Sequence, residues 1–423
     1  MSTDQALEQT CIIIGASHAG VSAAFALRKE GWQGKIKLVD SDTALPYHRP
    51  PLSKAYLTED SDKAPATLKP EASYQKNNIE LIFGQKVCEI NRNDMAVILE
   101  NGEQLPYNKL IIAAGARPFI PPVTGIDTAS NVFTLRNKSD VEQIRQAFSA
   151  SSKKRVVVIG GGYIGLETAA SLKKMGADVT VLERETRLLA RVTSPQMSEF
   201  FAQLHADHNV TIKTEQNVTA IEESNQELTV VCADHSQYPA DIIIVGVGVR
   251  VNQEFAQAAG LTIENGIKVN EQCQTNDSNI YAIGDCAFHH NQHYDRWLRL
   301  ESVQNAVDQS KVAAASICQK PTHYDALPWF WSDQYDIKLQ MVGLATDYDN
   351  LILRKESDSD TDNAPLAKFS VWYFKGNTLL SVDAVNHAKA YVLGTKALKS
   401  NLIINKDNLE NNEIDLTIDN LSL

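Results

Sequence analysis

The chain has 423 residues, 43% of them hydrophobic and 22% charged, with a formal net charge of −12. That composition is globular rather than disordered, and the length suits about three domains. The acidity argues against nucleic acid as the main partner, because neutralising phosphates takes clustered Lys and Arg. No stretch approaches the ~20 apolar residues that span a bilayer. Residues Met1 to Thr10 lack the basic start and apolar run of a secretory signal, and they are not a basic transit peptide. We therefore expect a cytoplasmic protein with no membrane association. The six cysteines, at 11, 88, 232, 273, 286 and 318, contain no CxxC pair. This weakens a zinc site, an iron–sulfur site and a redox dithiol together, and suits thiols kept reduced in a cytosol.

Cys11 to Ile14 reads as a short buried strand, Gly15 to Gly20 as a tight turn, and Val21 to Glu30 as a helix by its apolar spacing. Lys35 to Val39 is the next strand, with Asp40 at its end. Lys86 to Tyr107 is hairpin material around Asn101-Gly102. Leu110 to Ala113 is another strand, closed by Ala114 and Gly115, and the proline-rich stretch from Pro118 to Gly125 reads as a linker.

The opening pattern then returns. Arg155 to Ile159 is a strand, Gly160 to Gly165 the turn, Leu166 to Met175 the helix, and Asp178 to Leu182 the second strand, ending at Glu183. First glycine and acid lie 25 residues apart in the first unit and 23 in the second. Further strands are Ile242 to Val245, leaving through Gly246 and Gly248, and Ile280 to Ile283, leaving through Gly284 and Asp285. Beyond about Leu327, a hairpin around Lys375-Gly376-Asn377 and a helix over Ala388 to Lys399 suggest an α+β domain. The acidic runs Glu356 to Asp362 and Asn401 to Leu423 read as solvated or mobile.

Each glycine turn is built for a dinucleotide. Glycine permits the turn and the close approach of an anion, the helix N-terminus adds partial positive charge, and the acid after the second strand accepts from ribose hydroxyls. In the first turn Ser17 replaces the middle glycine. An N-terminal unit of this kind with a late Gly-Asp strand end suggests a flavin site made from two separated stretches. The inserted second unit then takes the pyridine nucleotide. Glu183 favours NAD over NADP because it repels a 2′-phosphate, though Arg184, Arg187 and Arg191 follow closely.

The runs Tyr47-His48-Arg49-Pro50-Pro51-Leu52-Ser53-Lys54, Ile111 to Pro118, Gly160 to Glu167, Tyr281 to Cys286, Glu301-Ser302-Val303-Gln304-Asn305-Ala306 and Pro328 to Gln334 occur in family order. With them the chain resembles the FAD-dependent pyridine-nucleotide oxidoreductases. Within these it is similar to the NADH-dependent ferredoxin reductases that serve bacterial cytochrome P450 and ring-hydroxylating dioxygenase systems. The resemblance implies an α/β fold with two Rossmann-like, glutathione reductase-like dinucleotide domains and a C-terminal α+β domain. It implies an FAD domain over 1–117 and 248–326, an NAD domain over 118–247 and a C-terminal domain with an acidic tail over 327–423. It assigns FAD to Gly15, Ser17, His18, Ala19, Gly20, Asp40, Arg49, Lys54, Val87, Ala114, Gly115, Arg136, Gly284, Asp285, Val303 and Trp331. It assigns NAD(H) to Gly160, Gly162, Tyr163, Ile164, Gly165, Glu183, Arg191 and Gly248. Val251 stands where relatives commonly carry proline.

The implied chemistry is hydride transfer from NADH to FAD, followed by single-electron delivery to a [2Fe–2S] ferredoxin. The catalytic candidates are Lys54, a cation for the reduced flavin, and Glu167, its partner against an isolated buried charge. Rubredoxin is the alternative acceptor, and an NAD-sensing flavoprotein of the apoptosis-inducing-factor type is a second alternative. Asp40 to Tyr56 contains no cysteine, so a disulfide reductase is nearly excluded. His289, His290 and His293 lack a completed ligand set and read as a surface loop, so no metal is expected. Arg49, Arg296 and Arg299 are candidates for a local basic face toward an acidic ferredoxin. The oligomer is a monomer or a homodimer.

Overall fold

The computed structural model describes residues 8–58, 65–224, 227–356 and 368–423. These divide into two compact units. The first takes the described residues within 1–49, 65–117 and 249–328; the second takes those within 50–64, 118–248 and 329–423. The segments read as an NAD domain and a C-terminal domain thus fall within one unit.

The first unit is built on a five-stranded parallel sheet in the order Ile280–Ala282, Lys109–Ile112, Thr10–Ile14, Lys35–Asp40, Ile79–Phe83. Its strands are near-continuous apolar runs because both faces are covered. The helix His18–Glu30 lies against the helix Val303–Ile317, and Ala19, Ala23 and Ala24 meet Ala306, Ala313 and Ala314 in one core. A three-stranded antiparallel sheet, Val87–Asn91, Ala96–Leu99 and Gln104–Pro106, belongs to the same unit.

The second unit repeats the plan. Its parallel sheet runs Thr211–Lys213, Asp178–Leu182, Arg155–Ile159, Ile242–Val245, Val132–Phe133, with an antiparallel trio at Val218–Ser224, Glu227–Cys232 and Gln237–Ala240. Both glycine-turn helices start three residues earlier than their apolar spacing predicts, at His18 and Tyr163. The first turn of each is made of glycine-loop residues that carry no apolar signal.

The same unit holds a five-stranded antiparallel sheet, Trp329–Gln334, Ile337–Gly343, Thr378–Val385, Phe369–Lys375, Asn350–Lys355. The helix Ala388–Lys399 packs on it, and at Gly394 a β-carbon would lie 2.6 Å from a methyl of Val382. The acidic run from Glu356 lies, beyond that residue, outside the described residues.

The expectation of a solvated tail is overturned. Short helices form at Lys406–Glu410 and Ile418–Leu421, and Ile404, Leu409, Leu416 and Leu421 are buried. Buried Arg354 holds the tail by donating to the carbonyls of Leu409 (3.1 Å), Asn411 (3.3 Å) and Ile414 (2.6 Å). Charge-counting hid this because the apolar residues are single and far apart. Arg354→Met leaves these carbonyls without their charged donor, and a charged hydrogen bond contributes about 1.5–3 kcal/mol. We expect a markedly lower melting temperature and faster proteolysis after residue 400, both measurable on the purified protein.

Asp383, in the middle of this sheet, is a buried carboxylate that accepts from Tyr373 Oη (2.7 Å) and Thr193 Oγ1 (2.8 Å). Burial pushes it up to about 6, against the hydroxyl donors that lower it. The folded state therefore binds this proton more tightly than the unfolded chain does. The stability the group contributes is present at pH 4 and lost as pH rises through 6, a difference of about 3 kcal/mol. Asp383→Asn is expected to gain on the wild type in thermal unfolding between pH 4.5 and 7.5; a constant difference would refute the burial argument.

Candidate functional site

The two glycine loops match atom for atom. In the first unit Gly15 N–H donates to Val39 O (2.8 Å), Ala16 N–H to one oxygen of Asp40 (2.5 Å) and Asp42 N–H to the other (2.9 Å). In the second, Gly160 N–H donates to Leu182 O (2.8 Å), Gly161 N–H to one oxygen of Glu183 (2.6 Å) and Glu185 N–H to the other (2.8 Å). Each acid thus closes its own loop and has further lone pairs beyond those bonds. Gly15 and Gly160 have φ of 100° and 111°, a region that favours glycine. A β-carbon on Gly20 would lie 1.8 Å from Gly15 O, and one on Gly165 2.1 Å from Gly160 O.

The third loop position differs. Gly162 caps the helix Tyr163–Lys174, and a β-carbon there meets nothing within 4 Å. Ser17 occupies the matching place, and its hydroxyl accepts from Arg49 Nε (3.0 Å). Ser17, Asp40 and Arg49 line one small cavity with Ala16, Asp42 and Tyr47. His18 is buried beside His48, with ring centroids 5.5 Å apart. Ala19 packs under Gly284, and Val87 is buried at the start of its strand. Ala114 O and Gly115 O are held by Asn252, through its amide (2.8 Å) and its backbone N–H (3.0 Å). Gly284 N–H donates to Gln309 Oε1 (2.7 Å); Asp285 is half-buried, and Val303 opens its helix behind the Ser302 cap.

In the second unit Arg191 is exposed, with its guanidinium 4.0 Å from where a Gly248 β-carbon would stand. Arg187 is turned to the carbonyls of Ala190 and Thr193 and to Ser198, and Arg184 pairs with Glu185. Tyr163 lies against Phe330 (5.2 Å) with its hydroxyl 3.0 Å from Met341 Sδ; Ile164 is exposed. Arg136 is half-buried just before the helix Lys138–Ala150, and Trp331 is half-buried beside Trp329.

Lys54 and Glu167 meet. Lys54 Nζ lies 2.6 Å from Glu167 Oε2, with side-chain exposures of 19% and 1%. The carboxylate takes two more donors, Ser53 Oγ (2.6 Å) on the same oxygen and Ser332 Oγ (2.7 Å) on the other. Lys54 also donates to Pro50 O (3.3 Å), and Ser171 Oγ holds Ser53 O (2.7 Å).

Residues 9–310 match the family model described as pyridine nucleotide-disulphide oxidoreductase, and residues 329–418 match one described as reductase C-terminal. The chain belongs to the pyridine nucleotide-disulphide oxidoreductase family. It is 45% identical over 380 residues to a putidaredoxin reductase of Pseudomonas putida, covering 89% of this chain and 88% of that one. It is 36% identical to a rubredoxin-NAD(+) reductase of the same species, covering 89% and 96%. Among solved structures, the reductase of a covalent putidaredoxin reductase–putidaredoxin complex is similar, with a TM-score of 0.89 at 42% identity, covering 96% and 97%.

A family named for disulphide chemistry directs attention to the thiols. All six cysteines are free; Cys11, Cys232, Cys273 and Cys286 are buried. Cys286 donates to Ile283 O and Ile112 O, and burial pushes its thiol up to about 11, which makes it inert near neutral pH.

Two expectations fail. His289 is buried on the strand Ala287–Asn291, not in a surface loop. Its Nδ1 lies 3.2 Å from Gln309 Nε2, and burial pushes it down to about 4. Among the described residues no three His, Cys, Asp or Glu are grouped to hold a metal. Arg299 makes a poor docking residue: it bonds Asn265 O, Asp285 O and Glu301, with its side chain 12% exposed. Sequence reading also missed Ser53, Ser332 and Asn252 as holders of the site. For Ser332 a signal existed: it and Gln334 are polar at period two in an aromatic strand, and both are buried.

Proposed function

We propose that the chain is an NADH-dependent flavoprotein reductase that passes single electrons to a [2Fe–2S] ferredoxin feeding a cytochrome P450 or a dioxygenase. The observation that carries this is the Lys54–Glu167 pair, set in a segment where a dithiol enzyme of this family needs cysteines. FAD, when bound, supplies the two-electron to one-electron conversion. The twin cradles fit two dinucleotides: each has a glycine turn, an open helix N-terminus and an acid with unused lone pairs.

Gly15, Ser17, Gly20, Asp40, Arg49, Val87, Gly115, Gly284, Asp285 and Val303 would hold FAD in the first unit. Gly160, Gly162, Tyr163, Gly165, Arg191 and Gly248 would hold the nicotinamide nucleotide. Glu183 selects NADH, since a 2′-phosphate would face its carboxylate, and the inward Arg187 and paired Arg184 do little to offset it. Lys54 supplies a fixed positive charge where hydride brings negative charge. Glu167 orients that ammonium, and two serine hydroxyls orient Glu167. Free thiols throughout suit a reducing cytoplasm, and no helix among the described residues is long and apolar enough to cross a membrane.

The test is NADH-driven cytochrome c reduction by the FAD-loaded protein, with and without a [2Fe–2S] ferredoxin. Strong stimulation by ferredoxin is expected. Stimulation by rubredoxin alone would replace the acceptor. A long-lived charge-transfer complex with no turnover would replace the enzyme with a sensor.

A further inference from the structure

Behind Glu167 and the Ser332 hydroxyl that holds it, a file of buried polar side chains continues to Gln334 and His205, which none of the preceding roles requires. Ser332 and Gln334 are each 1% exposed, and His205 is fully buried. A well-packed core puts apolar residues at such places, because each buried polar group must be matched by a partner. Here every partner is present, and the file ends on the Glu167 carboxylate that orients Lys54.

The charge on Glu167 fixes the direction of each bond. A carboxylate only accepts, so the Ser332 hydroxyl, 2.7 Å from Oε1, must donate its hydrogen there. Ser332 Oγ is then an acceptor, and Gln334 Nε2 donates to it at 3.2 Å. That sets the Gln334 amide with Oε1 toward His205 Nε2, 2.8 Å away. The Nε2 nitrogen must therefore carry the imidazole proton, leaving Nδ1 to accept from Tyr335 Oη at 3.4 Å. Burial pushes His205 down to about 4, so the ring is neutral and has one N–H to give. With the amide reversed, Ser332 would donate to Gln334 instead and Glu167 Oε1 would lose the donor recorded there. The other oxygen, Oε2, is served separately by Lys54 and Ser53.

We infer that Ser332, Gln334 and His205 are positioning residues for hydride transfer, acting as a one-way hydrogen-bond chain that holds the Glu167 carboxylate in register with Lys54. The inference rests on the role proposed above for Lys54 and Glu167. Nothing is conducted along the chain. The His205 tautomer sets the Gln334 amide, the amide sets the serine hydroxyl, and the hydroxyl holds one carboxylate oxygen so that the other faces the ammonium.

The test uses the FAD-loaded enzyme and rapid-mixing reduction by NADH, with Ser332→Ala, Ser332→Thr, His205→Phe and Glu167→Gln. Ser332→Ala is expected to slow reduction about tenfold while NADH affinity stays within about twofold. Ser332→Thr restores the rate, and His205→Phe lowers it by a smaller factor. A slow Glu167→Gln beside a Ser332→Ala with wild-type rate overturns the chain. A Glu167→Gln that reduces at the wild-type rate overturns the underlying role instead. If the variants do not load FAD, ¹⁵N-histidine spectra of the wild type decide: His205 protonated on Nε2 supports the chain, and protonation on Nδ1 overturns it.

Discussion

Lys54→Met is expected to lower the rate of flavin reduction by NADH by about 10²–10³-fold, the usual effect of losing a preorganised charge at a reacting centre. It should also lower stability more than any change to its partner. The two side chains are unequal: Glu167 is 1% exposed and Lys54 19%. Removing the lysine leaves a carboxylate sealed in the protein with only the hydroxyls of Ser53 and Ser332 to solvate it. Removing one partner of a buried pair costs about 3–5 kcal/mol because the remaining charge is uncompensated. Glu167→Gln keeps the shape and leaves an ammonium that water can reach, so its stability cost is smaller while reduction still slows. The double variant separates the two effects. With both charges gone, stability should recover relative to Lys54→Met, and the rate should not. Thermal unfolding and rapid-mixing absorbance of the FAD-loaded proteins read both. Wild-type reduction by Lys54→Met would remove the proposed catalytic role.

What could be read from the sequence was whatever is local and periodic. The strands Thr10–Ile14, Arg155–Ile159 and Ile242–Val245 are short runs of Ile and Val that only a sheet covered on both faces accommodates. The glycine turns are legible because their geometry forbids a β-carbon. Lys54 and Glu167 are 113 residues apart, so their pairing came from resemblance, not from spacing. Most of the unread parts share one cause, which is that their partners are distant in sequence. Ser332 is 165 residues from Glu167, and His205 is 129 from Gln334. Asn252 closes the Ala114–Gly115 turn from 138 residues away. Arg354 buries the tail from some sixty residues before it. Arg299 is spent on the Asp285 carbonyl, which no local pattern reports. Polar satisfaction is a property of the folded chain, and a one-dimensional reading sees only the residues that need it.

Gly162→Ala and Gly165→Ala should behave as opposites, although both change one glycine of the same loop to the same residue. At Gly165 the new β-carbon would lie 2.1 Å from Gly160 O, a backbone atom that cannot turn aside. The loop must deform, Gly161 and Glu183 lose their register, and the protein is expected to melt early and bind nucleotide poorly. At Gly162 the backbone is extended, with φ of −83°, and nothing stands within 4 Å of the added methyl. The variant should fold with the wild-type melting temperature and its full complement of FAD. With NADH bound at the second loop as proposed, the methyl would meet the incoming pyrophosphate at the helix N-terminus. Ser17 grades the expectation, because the first loop carries a β-carbon at the matching position with its hydroxyl engaged by Arg49. Among the described residues no side chain engages the matching position of the second loop, so we expect NADH affinity to fall about tenfold or more, roughly 1.4 kcal/mol. Dithionite, which needs no nucleotide cradle, should still reduce the flavin of Gly162→Ala at the wild-type rate. An unchanged KM for NADH would show that the nucleotide does not approach this loop, and would move the pyridine-nucleotide site away from the second βαβ unit.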